Sequence, residues 1–400
     1  MYNIQEIKSM DREYLFQNYG DRLPVAFENV RGPYLIDTDG REYIDFLSGV
    51  SVTNIGGDNE AFVRRLHEQI DRIIHSSNWF YNMEQIEAAR RIHNLAFGGR
   101  TLFVNSGAEA NEGAIKLARK YGQTRSEECY HIVVFTKSFH GRTFGAMSAT
   151  GNEKIRTGFG PLVPGFIYLP FNDRDALKDA CSRYSVCAVM TELIQGEGGI
   201  NPVDADFSLF IQETAREHGA LLIVDEIQTG IARTGKYFVY QHFGLEPDIM
   251  TLAKGLGNGI PIGAIHARDG IASLMGAGTH GTTFGGNHLA SAAAATVLDV
   301  ISADGFLDNV QALSGQVFDF LGRLTDNCPI IREVRGLGLH IGVELTVEGM
   351  PVVKRALQEG LVINCTSGNV LRIMPSLTID PETLDRGLRL FEHCLREYSS

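Results

Sequence analysis

The segment Asp248-Ile249-Met250-Thr251-Leu252-Ala253-Lys254-Gly255-Leu256-Gly257 carries a lysine directly after a short apolar run, with a glycine-rich turn behind it. Earlier in the chain, Leu221-Leu222-Ile223-Val224 runs into Asp225 in the same way. Each run reads as a buried strand, so an amine and a carboxylate leave the ends of two strands. An amine so placed can condense with an aldehyde, and a carboxylate can hold a ring nitrogen in its protonated form. A protonated ring then accepts the electron pair released when a substrate C–H bond breaks.

Further segments supply what such a pair would need. Asn105-Ser106-Gly107-Ala108-Glu109-Ala110-Asn111-Glu112 follows another apolar run, and Ser106 with Glu109 has the spacing of a capping box. The exposed amides of the helix it opens, reached past the small Gly107 and Ala108, would bind a phosphate. Taken alone, an ordinary capped helix is the commoner meaning. In Lys137-Ser138-Phe139-His140-Gly141-Arg142-Thr143, Phe139 offers a flat face and Arg142 a fork for a carboxylate. A lone Phe is more often core and a lone Arg more often surface charge. Gln228, three residues after Asp225, can hydrogen-bond a ring hydroxyl, and Thr282 and Thr283 lie among glycines where their hydroxyls can approach a phosphate. Together these groups match the demands of pyridoxal 5′-phosphate: an amine for its aldehyde, an acid for its ring nitrogen and donors for its phosphate.

Two competing readings are weaker. Gly230-Ile231-Ala232-Arg233-Thr234-Gly235-Lys236 has the spacing of a nucleotide-binding loop, but Tyr237 stands where Ser or Thr should hold magnesium, and no strand runs directly into it. His280 and His288 lack partners at ligand spacing, so no metal site is expected.

The elements that must position these groups alternate. Apolar runs at 102–104, 132–135, 188–190, 221–224 and 249–253 are separated by helical stretches such as 114–121, where positions 114, 117, 118 and 121 share a face. That alternation predicts an α/β fold with a mostly parallel sheet flanked by helices, whose ligands bind at the carboxyl ends of the strands. Near the N-terminus, two alternating runs flank Asp39-Gly40 and predict a hairpin. After about residue 290 an alanine-rich helix leads into short strands and helices. We expect three parts: residues 1–60 with the hairpin, packing on a small domain; a large cofactor-binding domain at 61–288; and the small α+β domain at 289–400.

Bulk properties narrow the partners. With 36 basic and 48 acidic side chains the net charge is −12, which argues against nucleic acid and against an anionic membrane surface. No apolar run approaches spanning length and the start lacks the pattern of a secretory signal. Cysteines at 129, 181, 187, 328, 365 and 394 form no CxxC pair or framework, so reduced thiols and a cytoplasmic location are expected.

The ordered set of segments resembles the class III (ω-) aminotransferases of the pyridoxal phosphate fold type I group. It runs through Phe103 to Glu112, Ser138 to Thr143, Gln195-Gly196-Glu197-Gly198-Gly199, Leu222 to Gln228 with Arg233-Thr234-Gly235, Leu252 to Leu256 and Gly281 to Asn287. Within that family it is most similar to the acetylornithine aminotransferases. The resemblance implies that Lys254 bonds to the cofactor and shuttles the substrate proton, and that Asp225 pairs with the ring nitrogen. It further implies that Gln228 meets the ring oxygen, Phe139 stacks on the ring, and Ser106, Gly107 and Ala108 hold the phosphate. Thr283 would reach the phosphate of a neighbouring subunit's cofactor, in a homodimer. Arg142, with Thr282 nearby, resembles the clamp for the acetylornithine α-carboxylate. Arg372 resembles the arginine that holds glutamate's α-carboxylate, and Glu192 the acid that pairs with it when the terminal-amine substrate is bound. The implied reaction exchanges the terminal amine of N2-acetylornithine with 2-oxoglutarate, in arginine biosynthesis. Ornithine, succinylornithine, N-acyl-diaminopimelate and 4-aminobutyrate are alternative donors, and a non-catalytic binding protein is the alternative class. The sequence departs from the family at 57–60, at Leu193, at Ala232, where a glycine is usual, and at His288; none of these removes a catalytic group.

Overall fold

The structure, a computed structural model, describes residues 2–399. Seven strands form the central sheet: β1 (Arg100–Val104), β2 (His131–Phe135), β3 (Phe166–Leu169), β4 (Val186–Thr191), β5 (Leu221–Asp225), β6 (Ile249–Leu252) and β7 (Gly263–Ala267). Their order is β1-β7-β6-β5-β4-β2-β3. Neighbours from β3 to β6 pair in parallel, whereas β7 runs antiparallel to β6 and β1. Every residue of β4, β5, β6 and β7 is buried, as expected of strands covered on both faces. The five apolar runs all became strands. The other two strands were not among the runs read: β3 is the four-residue run Phe166-Ile167-Tyr168-Leu169, and the apolar stretch of β7 is broken by His266.

Helix α1 (Gly107–Gln123) crosses from β1 to β2 and buries Ala110, Ala114, Leu117 and Ala118 against Ile132, Val134, Ile223 and Ile265 of the sheet. Its small residues let the helix lie close, so the first turn is brought to the strand ends. Helix α2 (His288–Ile301) is the alanine-rich stretch, buried along most of its length. No single helix among the described residues is long and apolar enough to cross a membrane.

The N-terminal hairpin forms as expected. Strands Tyr34–Asp37 and Glu42–Asp45 pair antiparallel, Gly40 takes φ +81° in the turn, and Asp37 accepts the amides of Asp39 and Arg41. Its sheet is completed by Leu361–Val362, parallel to Glu42–Asp45, so chain ends distant in sequence share one layer. A second antiparallel sheet holds β8 (Ile331–Leu337), β9 (His340–Leu345), β10 (Asn364–Thr366) and β11 (Val370–Ile373) in the order β8-β9-β11-β10. Its register sets Arg335 opposite Gly342, Gly342 opposite Arg372 and Arg372 opposite Asn364.

Candidate active site

The carboxyl ends of five central strands converge on a cavity of about 360 Å³. β1 delivers Ser106 to Ala108, β2 leads to Phe139 and Arg142, β4 to Glu192, β5 ends in Asp225, and β6 leads to Lys254; all of these line the cavity. Lys254 adopts φ +45°, a left-handed backbone that a non-glycine residue occupies at a cost of about 1–3 kcal/mol and that clusters at functional sites. Its amine makes no hydrogen bond or ion pair among the described residues. Burial, the largest influence, holds that amine below the usual lysine range; Arg372 adds to the depression, and Glu197, Asp225 and Glu192 oppose it.

Asp225 is buried and heavily bonded. Its Oδ2 accepts from Asn111 Nδ2 and pairs with His140 Nδ1, each at 2.8 Å, and its Oδ1 accepts the Ile227 amide at 3.0 Å. Burial works against a charge on His140, but the bond to Asp225 and the fields of Asp225 and Glu192 outweigh it and raise its pKa. Sequence reasoning missed both side-chain partners of Asp225. Asn111 lies one turn beyond Gly107 on α1, a polar residue on a buried face, which was a usable signal. No local pattern relates His140 to an acid 85 positions away in sequence.

The helix start is capped differently from the expected box. Ser106 accepts the Glu109 amide at 3.2 Å, but the Glu109 carboxylate reaches the Asn105 amide at 2.6 Å instead of that of Ser106. The amides of Gly107 and Ala108 belong to the first helical turn, where the helix itself offers them no acceptor. At Gly107 a Cβ would stand 2.8 Å from Ile227 Cδ1, so a larger residue there would push Ile227 at the cavity wall.

The carboxylate that faces Arg372 is Glu197 and not the expected Glu192. The pair runs from Arg372 Nη1 to Glu197 Oε1 at 2.6 Å. Glu192 is occupied by backbone, accepting the amides of Phe139 at 2.9 Å and Gly196 at 3.2 Å. Burial pushes its pKa up to about 7, with the His140 charge opposing and the Asp225 charge adding. Glu197 rides on the loop of a small hairpin (Ile194–Gln195 with Asn201–Pro202) that carries it to the cavity wall in front of Arg372. Gln228 lines the cavity, its Oε1 facing His340 Nε2 at 2.9 Å. Arg142 is exposed at the mouth with its guanidinium 5.7 Å from the Phe139 ring centre.

Thr282 and Thr283 do not line this cavity. They line a second one, with Ser77, Asn78 and Trp79, and Thr282 Oγ1 accepts from Asn105 Nδ2 at 2.9 Å. The loop of nucleotide-binding spacing is a turn around the fully buried Arg233; Ala232 there takes φ +65°, the conformation for which glycine is the usual residue.

Residues 15–395 match the family model of the class-III aminotransferases. The chain belongs to that family. The acetylornithine aminotransferase of Caldanaerobacter subterraneus subsp. tengcongensis is 45% identical over 389 residues, 97% of this chain and 98% of that protein. That of Bacillus subtilis is 42% identical over 387 residues, covering 96% and 98%. Among solved structures, the ornithine aminotransferase of Toxoplasma gondii superposes with a TM-score of 0.95 at 32% identity, over 100% of this chain and 96% of that one. The acetylornithine aminotransferase of Elizabethkingia anophelis gives 0.89 at 31%, over 99% and 100%.

The cofactor of class III aminotransferases is pyridoxal 5′-phosphate, and the residues of this aminotransferase fit it. An unpartnered amine, a buried carboxylate with capacity left on Oδ1, and first-turn amides at 107 and 108 are groups suited to its aldehyde, ring nitrogen and phosphate. Apolar walls come from Phe139 and Ile227.

One buried acid of this aminotransferase makes a pH test. Burial pushes Glu226 up to about 7, against the opposing pull of the Val239 and Tyr240 amides and the Thr229 hydroxyl. Its folded pKa lies above the unfolded value, so the folded state binds the extra proton between about pH 4.5 and 7. Its contribution is full below that window and is lost as pH rises through about 7. Glu226→Gln is therefore expected to flatten the decline in urea midpoint across that window. An unchanged slope would remove Glu226 as its source.

Proposed function

We propose that the chain transfers the terminal amine of N2-acetylornithine to 2-oxoglutarate, giving N-acetylglutamate 5-semialdehyde and glutamate, as a step of arginine biosynthesis. The observation that carries the reading is the Arg372–Glu197 pair, 2.6 Å long, standing at the wall of the Lys254 cavity. Relatives named acetylornithine aminotransferase, 42–45% identical over nearly the whole chain, support the choice of donor.

Pyridoxal 5′-phosphate, when bound, supplies the aldehyde that takes up and passes on the amino group and the ring that accepts the electron pair from the substrate carbon. The chain's own residues do the rest. Gly107 and Ala108 amides, with Ser106, hold the phosphate; Asp225 holds the ring nitrogen protonated; Phe139 covers a face and Gln228 meets the ring oxygen. Lys254, its proton affinity lowered by burial, takes the proton from the substrate carbon and returns it on the other side of the exchange. Arg142, at the mouth, binds the α-carboxylate of acetylornithine, which lies at the far end of the molecule from the reacting amine. With that donor bound, Glu197 neutralises Arg372. Glutamate and 2-oxoglutarate bring a second carboxylate, displace Glu197 and take Arg372 for themselves.

Glu197→Ala is expected to lower the ratio of kcat/KM for acetylornithine to that for glutamate about tenfold, the scale of one charge-assisted contact. An unchanged ratio would end the role of Glu197 as the switch. The donor itself is tested by ranking acetylornithine, ornithine, succinylornithine, N-acyl-diaminopimelate and 4-aminobutyrate by kcat/KM with 2-oxoglutarate; a winner other than acetylornithine overturns it.

The same reading includes a homodimer in the cytoplasm, with the three-part division at residues 60 and 288. Thr283 lies outside its own chain's cavity, and Trp79, Phe80, Tyr81 and Phe284 are largely exposed near it, an apolar surface suited to a second subunit. A partner seated there brings Thr283 to the other cofactor phosphate and Thr282 toward the other Arg142. Sedimentation at the mass of a single chain in the cofactor-loaded state would contradict it.

A further inference from the structure

The loop that carries Glu197 is held by the sheet that carries Arg372. Directly opposed residues of neighbouring strands project to one face, so Arg335 (β8), Gly342 (β9), Arg372 (β11) and Asn364 (β10) form a single row across that sheet. Residues 197–200 lie across the row. At one end Glu197 pairs with Arg372, whose Nε is fixed by Asn364 Oδ1 at 2.8 Å. In the middle Ile200 sits over Gly342, where a Cβ would stand 2.8 Å from Ile200 Cβ. At the other end Arg335 donates to the Gly199 carbonyl at 2.7 Å and to the Ile200 carbonyl at 2.9 Å.

The remaining carbonyls of the loop are also taken. Thr366 Oγ1 donates to that of Glu197 at 2.7 Å, and Asn201 Nδ2 to that of Gly198 at 2.8 Å. Arg335 is in turn pinned by Glu344 at 2.6 Å and Glu333 at 2.7 Å. Ile200, a β-branched residue, keeps a left-handed backbone at φ +52°, which persists only where surrounding contacts over-determine it.

We propose that Arg335 and Gly342 are specificity-determining positioning residues: by holding the 197–200 loop against the sheet, they set how readily Glu197 yields Arg372 to a substrate carboxylate. The inference rests on the reading of Glu197 and Arg372 given above. A dicarboxylate binds only the fraction of molecules in which Arg372 is uncovered, and its apparent affinity falls by that fraction. A tightly held loop keeps the fraction small and favours the terminal-amine donor; a loosened loop enlarges it and favours glutamate.

The test uses the pyridoxal phosphate-loaded enzyme and glutarate, a dicarboxylate with no amine to react. Calorimetry should show glutarate binding about tenfold tighter in Arg335→Met, as expected for losing the charge-assisted bonds that hold the loop, with Arg335→Lys in between. The kcat/KM ratio of acetylornithine to glutamate should fall in parallel, a ratio in which the amount of folded enzyme cancels. Gly342→Ala, which pushes on Ile200 without touching any charge, should move both quantities the same way and carries the test if Arg335→Met fails to load cofactor. Unchanged or weaker glutarate binding in the loaded variants overturns the proposal. If the wild type fails to turn over acetylornithine, the donor assignment falls, while the glutarate result still decides the role of Arg335.

Discussion

Lys254→Ala is expected to lower transamination by about four orders of magnitude, the upper range for removing a positioned proton-transfer group. Among the described residues no other amine lines the cavity, and the Arg142 guanidinium stands at its mouth. The phosphate cradle of Gly107 and Ala108 and the Asp225 carboxylate remain, so the variant should still bind pyridoxal phosphate. Removing the side chain also leaves room within a cavity of about 360 Å³ for a small primary amine. Added methylamine should therefore restore part of the rate, and more at pH values where it is unprotonated. Single-turnover kinetics with glutamate would measure both effects. A loss below about tenfold would take Lys254 out of the chemistry, since general acid–base groups contribute at least about a hundredfold.

Arg233→Met should cost on the order of 3–5 kcal/mol of stability, since each buried acceptor left unsatisfied costs about 1–3 kcal/mol. Arg233 is fully buried and, among the described residues, has no carboxylate in direct contact. Its guanidinium donates to Ser51 Oγ at 3.1 Å, Asn54 Oδ1 at 2.7 Å, the Pro375 carbonyl at 2.6 Å and the Leu339 carbonyl at 3.1 Å. Burial lowers its pKa to about 9, with the field of Asp45 opposing. Methionine fills a similar volume but removes the guanidinium from the Pro375 and Leu339 carbonyls and leaves Asn54 Oδ1 only the 3.4 Å contact of Ser51 Oγ, in a buried place. Those acceptors come from both sides of the central sheet in sequence, so Arg233 joins the N-terminal segment to the sheet of β8–β11. Gly255, next to Lys254, packs against Asn54. Loosening this joint should thus lower the cofactor affinity as well as the urea midpoint. An unfolding free energy within about 0.5 kcal/mol of the wild type, the usual span of surface substitutions, would show that the network adds no net stability.

What the sequence determined by itself was local in physical origin. A strand buried in a central sheet needs a short apolar run, and five such runs gave five strands of that sheet. Ligands sit where parallel strands end, so Lys254, Asp225, Phe139 and Ser106 to Ala108 could be read as one site from their places just past those runs. The Asp39-Gly40 turn was legible because glycine alone adopts its backbone cheaply. Resemblance then named the family.

Tertiary structure decided everything that depends on which strand lies beside which. Glu192 and Glu197 are five positions apart in one segment, and either could have met Arg372. The hairpin at 194–202 turns the first toward the amides of Phe139 and Gly196 and hands the second to the arginine. His140 reaches Asp225 only because β2 and β5 both flank β4 in the sheet. Thr282 and Thr283 carry glycine-flanked hydroxyls, yet the chain places them on a different cavity from Lys254. Chemical type is written residue by residue, whereas pairing is a property of strand order and register. Each of these outcomes was therefore fixed by packing between residues far apart in the chain.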